Sequence, residues 1–120
     1  MGIQNLSEDI ILVELPPESP NVAEDLKAVN ETIGKQCVYD IIIDFSRVEI
    51  INSANISNLL ILRSLLQDAG RQLILCHVAP MTKCIFVVAG LTEVFVFVDD
   101  KSAALAAVQS VKSLAGDDLQ

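Results

Sequence analysis

The sequence is poor in aromatic residues, histidine and basic charge, and each scarcity closes off a class of function. Tryptophan is absent, and one tyrosine and four phenylalanines are spread over 120 residues. A core must therefore be built from Ile, Leu, Val and Ala. Eight Lys and Arg stand against sixteen Asp and Glu, for a net charge of -8. Binders of nucleic acid or anionic membranes present a basic face. This balance argues against both and is compatible with a basic protein partner. Phosphate-cradling glycine loops are missing. There is no G-x-G-x-x-G, and Gly34-Lys35 is preceded by Val29 where a P-loop has glycine and followed by Gln36 where it has Ser or Thr. No apolar run nears the roughly 20 residues that span a bilayer. No basic start with a long apolar core marks a signal peptide, and Met1-Gly2 lacks the sixth-position hydroxyl of a myristoylation signal. A cytoplasmic protein is the expectation.

The groups that carry chemistry are few and scattered. Cys37, Cys76 and Cys84 are an odd number of thiols in or beside apolar runs, which suits a reducing compartment and buried, inert cysteines. They are not at zinc spacing. His77, the only histidine, follows Cys76 near the end of a predicted strand. Neighbouring strand residues point to opposite faces, so the pair is not expected to share a site, and His77 reads as structural. Asp40, Asp44 and Glu49 read as dispersed turn or surface carboxylates rather than an acid/base pair. No catalytic residue, no cofactor and no metal are expected among these groups.

What the chain does have is 52% hydrophobic residues in alternating strand and helix patterns. Ile10–Leu15 reads as the first strand, with residues 1–9 extending it or forming a ragged lead-in. Pro16-Pro17 ends it. Ser19 and Pro20 open a helix whose inner face is Val22, Leu26, Val29 and Ile33, closed by Gly34. Val38–Phe45 is a central strand, its three consecutive isoleucines supplying apolar groups to both faces. A helix over 54–69 follows, closed by Gly70. Arg71–Val78 is a strand. The next helix carries Met81, Cys84, Ile85 and Val88 on one face and stops at Gly90. Val94–Val98 is a strand, and Asp99 or Asp100 caps a last helix with Leu105, Val108, Val111 and Leu114 inward, fraying from Gly116. The alternation predicts one α/β domain over residues 1–120, with its core at about 10–114. Its sheet should be mostly parallel, of four to five strands, with about four helices.

The turn Asn52-Ser53-Ala54-Asn55 is the most informative stretch. Asn52 or Ser53 suits the cap of the helix that begins there, and the free amides and positive dipole end at such a turn favour an anion or phosphate. The helix after it is apolar on far more than the stripe of about 100° that a sheet requires. Ile56, Leu59, Leu60, Ile61, Leu62, Leu65, Leu66 and Ala69 leave only Ser57, Ser64 and Asp68 as a polar side. Either a neighbouring helix covers the excess or a partner does; an exposed strip would also favour a homodimer.

The order of these elements resembles the STAS domain, the sulfate-transporter and anti-sigma factor antagonist family. Ile41–Ile43 followed by Asp44-Phe45-Ser46 is similar to that family's strand and its exit. Asn52–Ile56 stands where Asp-Ser-Ser/Thr-Gly-Leu is expected. Ala79-Pro80 resembles the Ser-Pro before the short helix, and Gly90-Leu91 the Gly-Leu before the last strand. The resemblance implies a regulatory module that is not an enzyme and binds an anti-sigma factor or serine-kinase partner through Asn52, Ser53, Ala54, Asn55, Ile56 and Leu60. It also implies phosphorylation at the second hydroxyl of the motif. That position is Ala54, which cannot accept phosphate; Asn52 replaces the acidic residue and Asn55 the glycine. Ser53 is the remaining hydroxyl of the motif. A partner held without the usual phospho-switch is one expectation, phosphate moved to Ser53 or Ser57 a second, and a scaffolding or small-anion-binding module a third.

Overall fold

Ile41, Ile42 and Ile43 are each no more than 1% exposed, as a strand covered on both faces requires. The computed structural model describes residues 2–17, 21–35, 38–49 and 51–118; for residues 21 and 111–118 it describes the backbone alone. The central strand, β3, spans Asp40–Asp44 in a five-stranded sheet of order β1-β2-β3-β4-β5. The others are β1 (Gly2–Ser7), β2 (Ile10–Glu14), β4 (Leu73–Cys76) and β5 (Val96–Val98). β2 to β5 run parallel, and β1 pairs antiparallel with β2. Among the described residues four helices complete the fold: α1 (Asn21–Lys35), α2 (Ser53–Asp68), α3 (Pro80–Val88) and α4 (Lys101–Asp118).

Side-chain alternation divides the core in two. Val13, Ile41, Ile43 and Leu75 face α1, α2 and α3, where they meet Val22, Leu26, Leu59, Leu62 and Phe86. Ile10, Leu12, Ile42, Ile74 and Cys76 face α4, where they meet Ala104 and Val108. Strands laid down in order with crossovers of one hand put their helices on one face. The other face is left to α4. The aromatic residues concentrate at the β5 side, where Phe86 stacks edge-on with Phe95 and Phe97 at 5.6 and 5.2 Å.

The structure amends the reading of the sequence in several places. Residues 2–7 form a separate edge strand rather than a lead-in. It is exposed on both sides, so no apolar alternation marks it; backbone pairing to β2 holds it. β5 begins at Val96, because the N–H groups of Val94 and Phe95 turn back to the Leu91 carbonyl. β3 begins at Asp40, which is buried and accepts a 2.8 Å bond from the Gln72 N–H. α1 runs one residue past Gly34, and α4 stays helical through Asp118 rather than fraying from Gly116. Gly70 and Gly90 have φ of 71° and 73°. At each, the following N–H bonds back five residues, Arg71 to Leu66 and Leu91 to Phe86, both at 2.8 Å. These are the left-handed helix stops expected of glycine. Asp100, not Asp99, caps α4 through a bond from the Ala103 N–H. The expected cap at Ser19 and the thiol of Cys37 lie outside the described residues, as do the side chains of Val111 and Leu114.

α3 reverses its expected orientation. Its buried residues are Thr82 and Phe86. The apolar row read from spacing lies on the outer side: Met81 is 83% exposed and Val88 89%, with Cys84 exposed beside them and Ile85 partly buried. Phenylalanine won the interior because it buries more area than the thiol or the valines.

Candidate functional site

The corner at the start of α2 is built by one residue. Asn52 is extended (φ -128°, ψ -177°), and its Oδ1 accepts the Asn55 N–H at 3.0 Å. Its carbonyl accepts the Ile56 N–H at 3.1 Å. An amide relay then ties the corner to α1: Asn58 donates from Nδ2 to the Ala54 carbonyl, and Asn30 donates from Nδ2 to the Asn58 carbonyl, both at 3.0 Å. Asn52, Ser53 and Ala54 are exposed. Asn55 is not: it is 0% exposed, on the inward face with Leu59, Leu62 and Leu66. A partner therefore cannot touch its side chain in this conformation. Neither amide atom of that side chain has a protein hydrogen-bond partner among the described residues.

Along α2 the apolar excess is shared out. Leu59, Leu62 and Leu66 are buried and Ile56 and Leu65 half-buried, with α1 packed alongside. Leu60 and Ile61 remain 37% and 50% exposed. A neighbouring helix thus absorbs most of the surplus and leaves a short strip open. Of the predicted site residues, Asn52, Ser53, Ala54 and Leu60 reach the surface, Ile56 does so in part, and Asn55 is interior. Its helical spacing to Leu59, Leu62 and Leu66 puts Asn55 on their face; the residue type concealed this, since asparagine seldom occupies a core position.

A second group of polar side chains gathers at the carboxyl ends of β3 and β4, on the α4 side. Asp44 and Cys76 are register partners across those strands and both are buried. Asp44 is thus no surface carboxylate. It accepts from the Ser46 N–H at 2.9 Å and the Ser46 hydroxyl at 3.1 Å, and Lys101 Nζ stands 3.7 Å away. Burial, reinforced by the Asp44 charge, pushes the Cys76 thiol from 9.0 up to about 12. His77 has φ of 55°, a left-handed conformation rare outside glycine. That twist cancels the strand alternation that would have sent its side chain to the opposite face. Ligand atoms of Asp44, Cys76 and His77 all lie within 4.8 Å of one another. Contrary to the strand rule applied to the sequence, Cys76 and His77 do converge; no residue pattern announces the backbone reversal that brings them together.

With this geometry in view, comparison with known proteins is decisive for family. A family model described as the STAS domain matches residues 9–104. The chain belongs to the STAS domain family. Among solved structures, a variant of RsbS from Moorella thermoacetica superposes with a TM-score of 0.79 at 15% identity, covering 93% of this chain and 97% of that one. The anti-sigma factor antagonist SpoIIAA in its unphosphorylated form gives 0.69 at 17% identity, over 92% and 96% of the two chains. A sulfate transporter family protein from Wolinella succinogenes gives 0.76 at 22% identity, over 92% and 93%. At these identities the likeness concerns the fold. No curated protein matches the sequence. Among the described residues no helix is long and apolar enough to cross a membrane.

Proposed function

We infer that this STAS domain is a non-catalytic regulatory module. It docks an anti-sigma factor or serine-kinase type of partner through Asn52, Ser53 and Ala54 and the outer strip of α2 at Ile56 and Leu60. The observation that carries the reading is a firmly capped helix start whose first residues are exposed beside an uncovered Leu60–Ile61 strip. A rigid polar corner next to apolar surface suits a protein interface, in which an apolar centre is rimmed by polar groups. SpoIIAA, solved unphosphorylated and phosphorylated, has the same fold. In this chain Ala54, at the position corresponding to the family's phosphoacceptor, has no hydroxyl, so docking here is not released by phosphate at that position.

The test uses purified serine-kinase/anti-sigma proteins from the source genome in a calorimetric binding assay. The wild-type chain binds one of them and takes no phosphate from ATP. Ala54→Ser takes phosphate and loses affinity, and Leu60→Glu weakens binding with its circular dichroism unchanged. Stoichiometric phosphate on Ser53 of the wild type, or unaltered binding by both Leu60→Glu and Ala54→Asp, overturns the reading.

The outward apolar side of α3 favours a second reading, self-association. Light scattering across a concentration series separates it, since a dimer through α3 is broken by Val88→Glu and untouched by Leu60→Glu. The alternative of a small anion at the α2 start predicts a thermal shift with phosphate or nucleotides. Saturation at about a hundredfold over the dissociation constant would add about 2.7 kcal/mol.

A further inference from the structure

We propose that Asp44, Cys76 and His77 form a binding site for a zinc-class divalent ion at the carboxyl ends of β3 and β4. Three observations converge on it. The ligand atoms, one carboxylate oxygen, one sulfur and one imidazole nitrogen, are already within 4.8 Å of one another. This mixed set is one that zinc and its neighbours accept, whereas magnesium and calcium take oxygen alone. Register places the first two ligands: Asp44 and Cys76 sit opposite each other on adjacent parallel strands, with side chains on the same face. Backbone strain places the third. His77 has φ 55°, an uncommon conformation with some energetic cost, and its imidazole comes within reach of the other two.

Zinc holds its ligands at about 2.0–2.3 Å, so a tetrahedral site sets its ligand atoms about 3.5 Å apart. Closing from 4.8 Å or less takes about 1 Å of side-chain movement, which the more exposed imidazole can supply. Two changes accompany binding. The Cys76 thiol passes its proton to solvent as the metal–sulfur bond forms. The Lys101 ammonium, 3.7 Å from Asp44 Oδ2 on a side chain that is 44% exposed, swings away as the metal takes over as the carboxylate's counter-ion. Three protein ligands leave a fourth position to a solvent molecule. The site lies on the α4 side of the sheet, so it stands or falls independently of docking at the start of α2.

Cobalt(II) is the probe, titrated into the full-length chain with its thiols kept reduced by a phosphine. The expected result is one equivalent bound, with a thiolate-to-cobalt charge-transfer band and the visible bands of a tetrahedral ion, all bleached by zinc. His77→Gln, which changes no buried group, abolishes the tetrahedral spectrum. Cys76→Ser abolishes the charge-transfer band. Cys84→Ser and Cys37→Ser retain both signals. Absence of the charge-transfer band in the wild type overturns the assignment. So does a band that survives Cys76→Ser, a spectrum indifferent to His77→Gln, or one lost with Cys84→Ser. Amide spectra of each variant confirm that the fold is retained, and His77→Gln keeps the test decisive if Cys76→Ser unfolds.

Discussion

Replacing Asn52 by alanine removes one acceptor, and the structure says what that costs. At an ordinary exposed helix start, such a change costs about 1 kcal/mol, with a range of about 0.5–2, because water takes over the orphaned N–H. Here the N–H belongs to Asn55, which is 0% exposed, and its bond to Asn52 Oδ1 is 3.0 Å. The bond is part-buried and the rest of Asn55 is packed inside, which limits water's access to this N–H, and a buried donor left unpaired costs about 1–3 kcal/mol. The loss should therefore sit at the upper end, about 2 kcal/mol. In a chain of 120 residues, this lowers Tm by about 8 °C, at about 4 °C per kcal/mol. Two companions sharpen the test. Asn52→Gly, which costs only a few tenths of a kcal/mol at solvated caps, should be as damaging here as alanine. Asn52→Asp keeps the acceptor and adds negative charge at the positive end of α2, so it should match or exceed wild type by about 0.3–1 kcal/mol at low salt. Urea unfolding followed by circular dichroism reads all three. A loss under about 0.5 kcal/mol for Asn52→Ala, or a near-wild-type Asn52→Gly, would refute the argument by showing that water reaches the Asn55 amide.

Other perturbations test other parts of the molecule. In the native protein iodoacetamide should modify exposed Cys84 and spare Cys76, as mass spectrometry of the digested protein would show. The same thiol makes stability fall with alkalinity. Above pH 9.0 the unfolded chain loses a proton that the folded chain holds until about 12, so folding free energy declines through that window. Cys76→Ala should flatten the decline. His77→Gly should be more stable than His77→Ala by about 1 kcal/mol in urea unfolding, because alanine resists a left-handed backbone and glycine does not. Leu62→Ala, in the core, should cost about 2–5 kcal/mol, while Leu60→Ala on the open strip should change stability by less than about 1 kcal/mol in the same assay.

Much of this was legible before any coordinates. The helix stops at Gly70 and Gly90, a cap at Asn52 or Ser53, the inner face of α1 and the central place of Ile41–Ile43 all follow from local chemistry, which leaves a mark in the residue type. What escaped did so for identifiable reasons. β1 carries polar residues on both faces, so periodicity is silent there. In α3, two apolar faces compete, and nothing in their spacing says that Phe86 outbids Met81 and Val88. Asp44 reads as the polar end of a strand, and only the neighbouring strand and Lys101 make it a buried ion.

The candidate sites divide along the same line. At the start of α2, the sequence by itself determined the helix, a cap at Asn52 or Ser53 and the missing hydroxyl at Ala54, because capping and phosphate acceptance are properties of single side chains and their immediate neighbours. Only the tertiary structure decided that Asn55 turns inward while Leu60 stays open, since that depends on where α1 and the sheet come to lie. It alone joined Asp44 to Cys76 and His77, residues more than thirty positions apart along the chain. Register between strands and one left-handed backbone angle set that meeting, and both arise only when distant segments pack against each other.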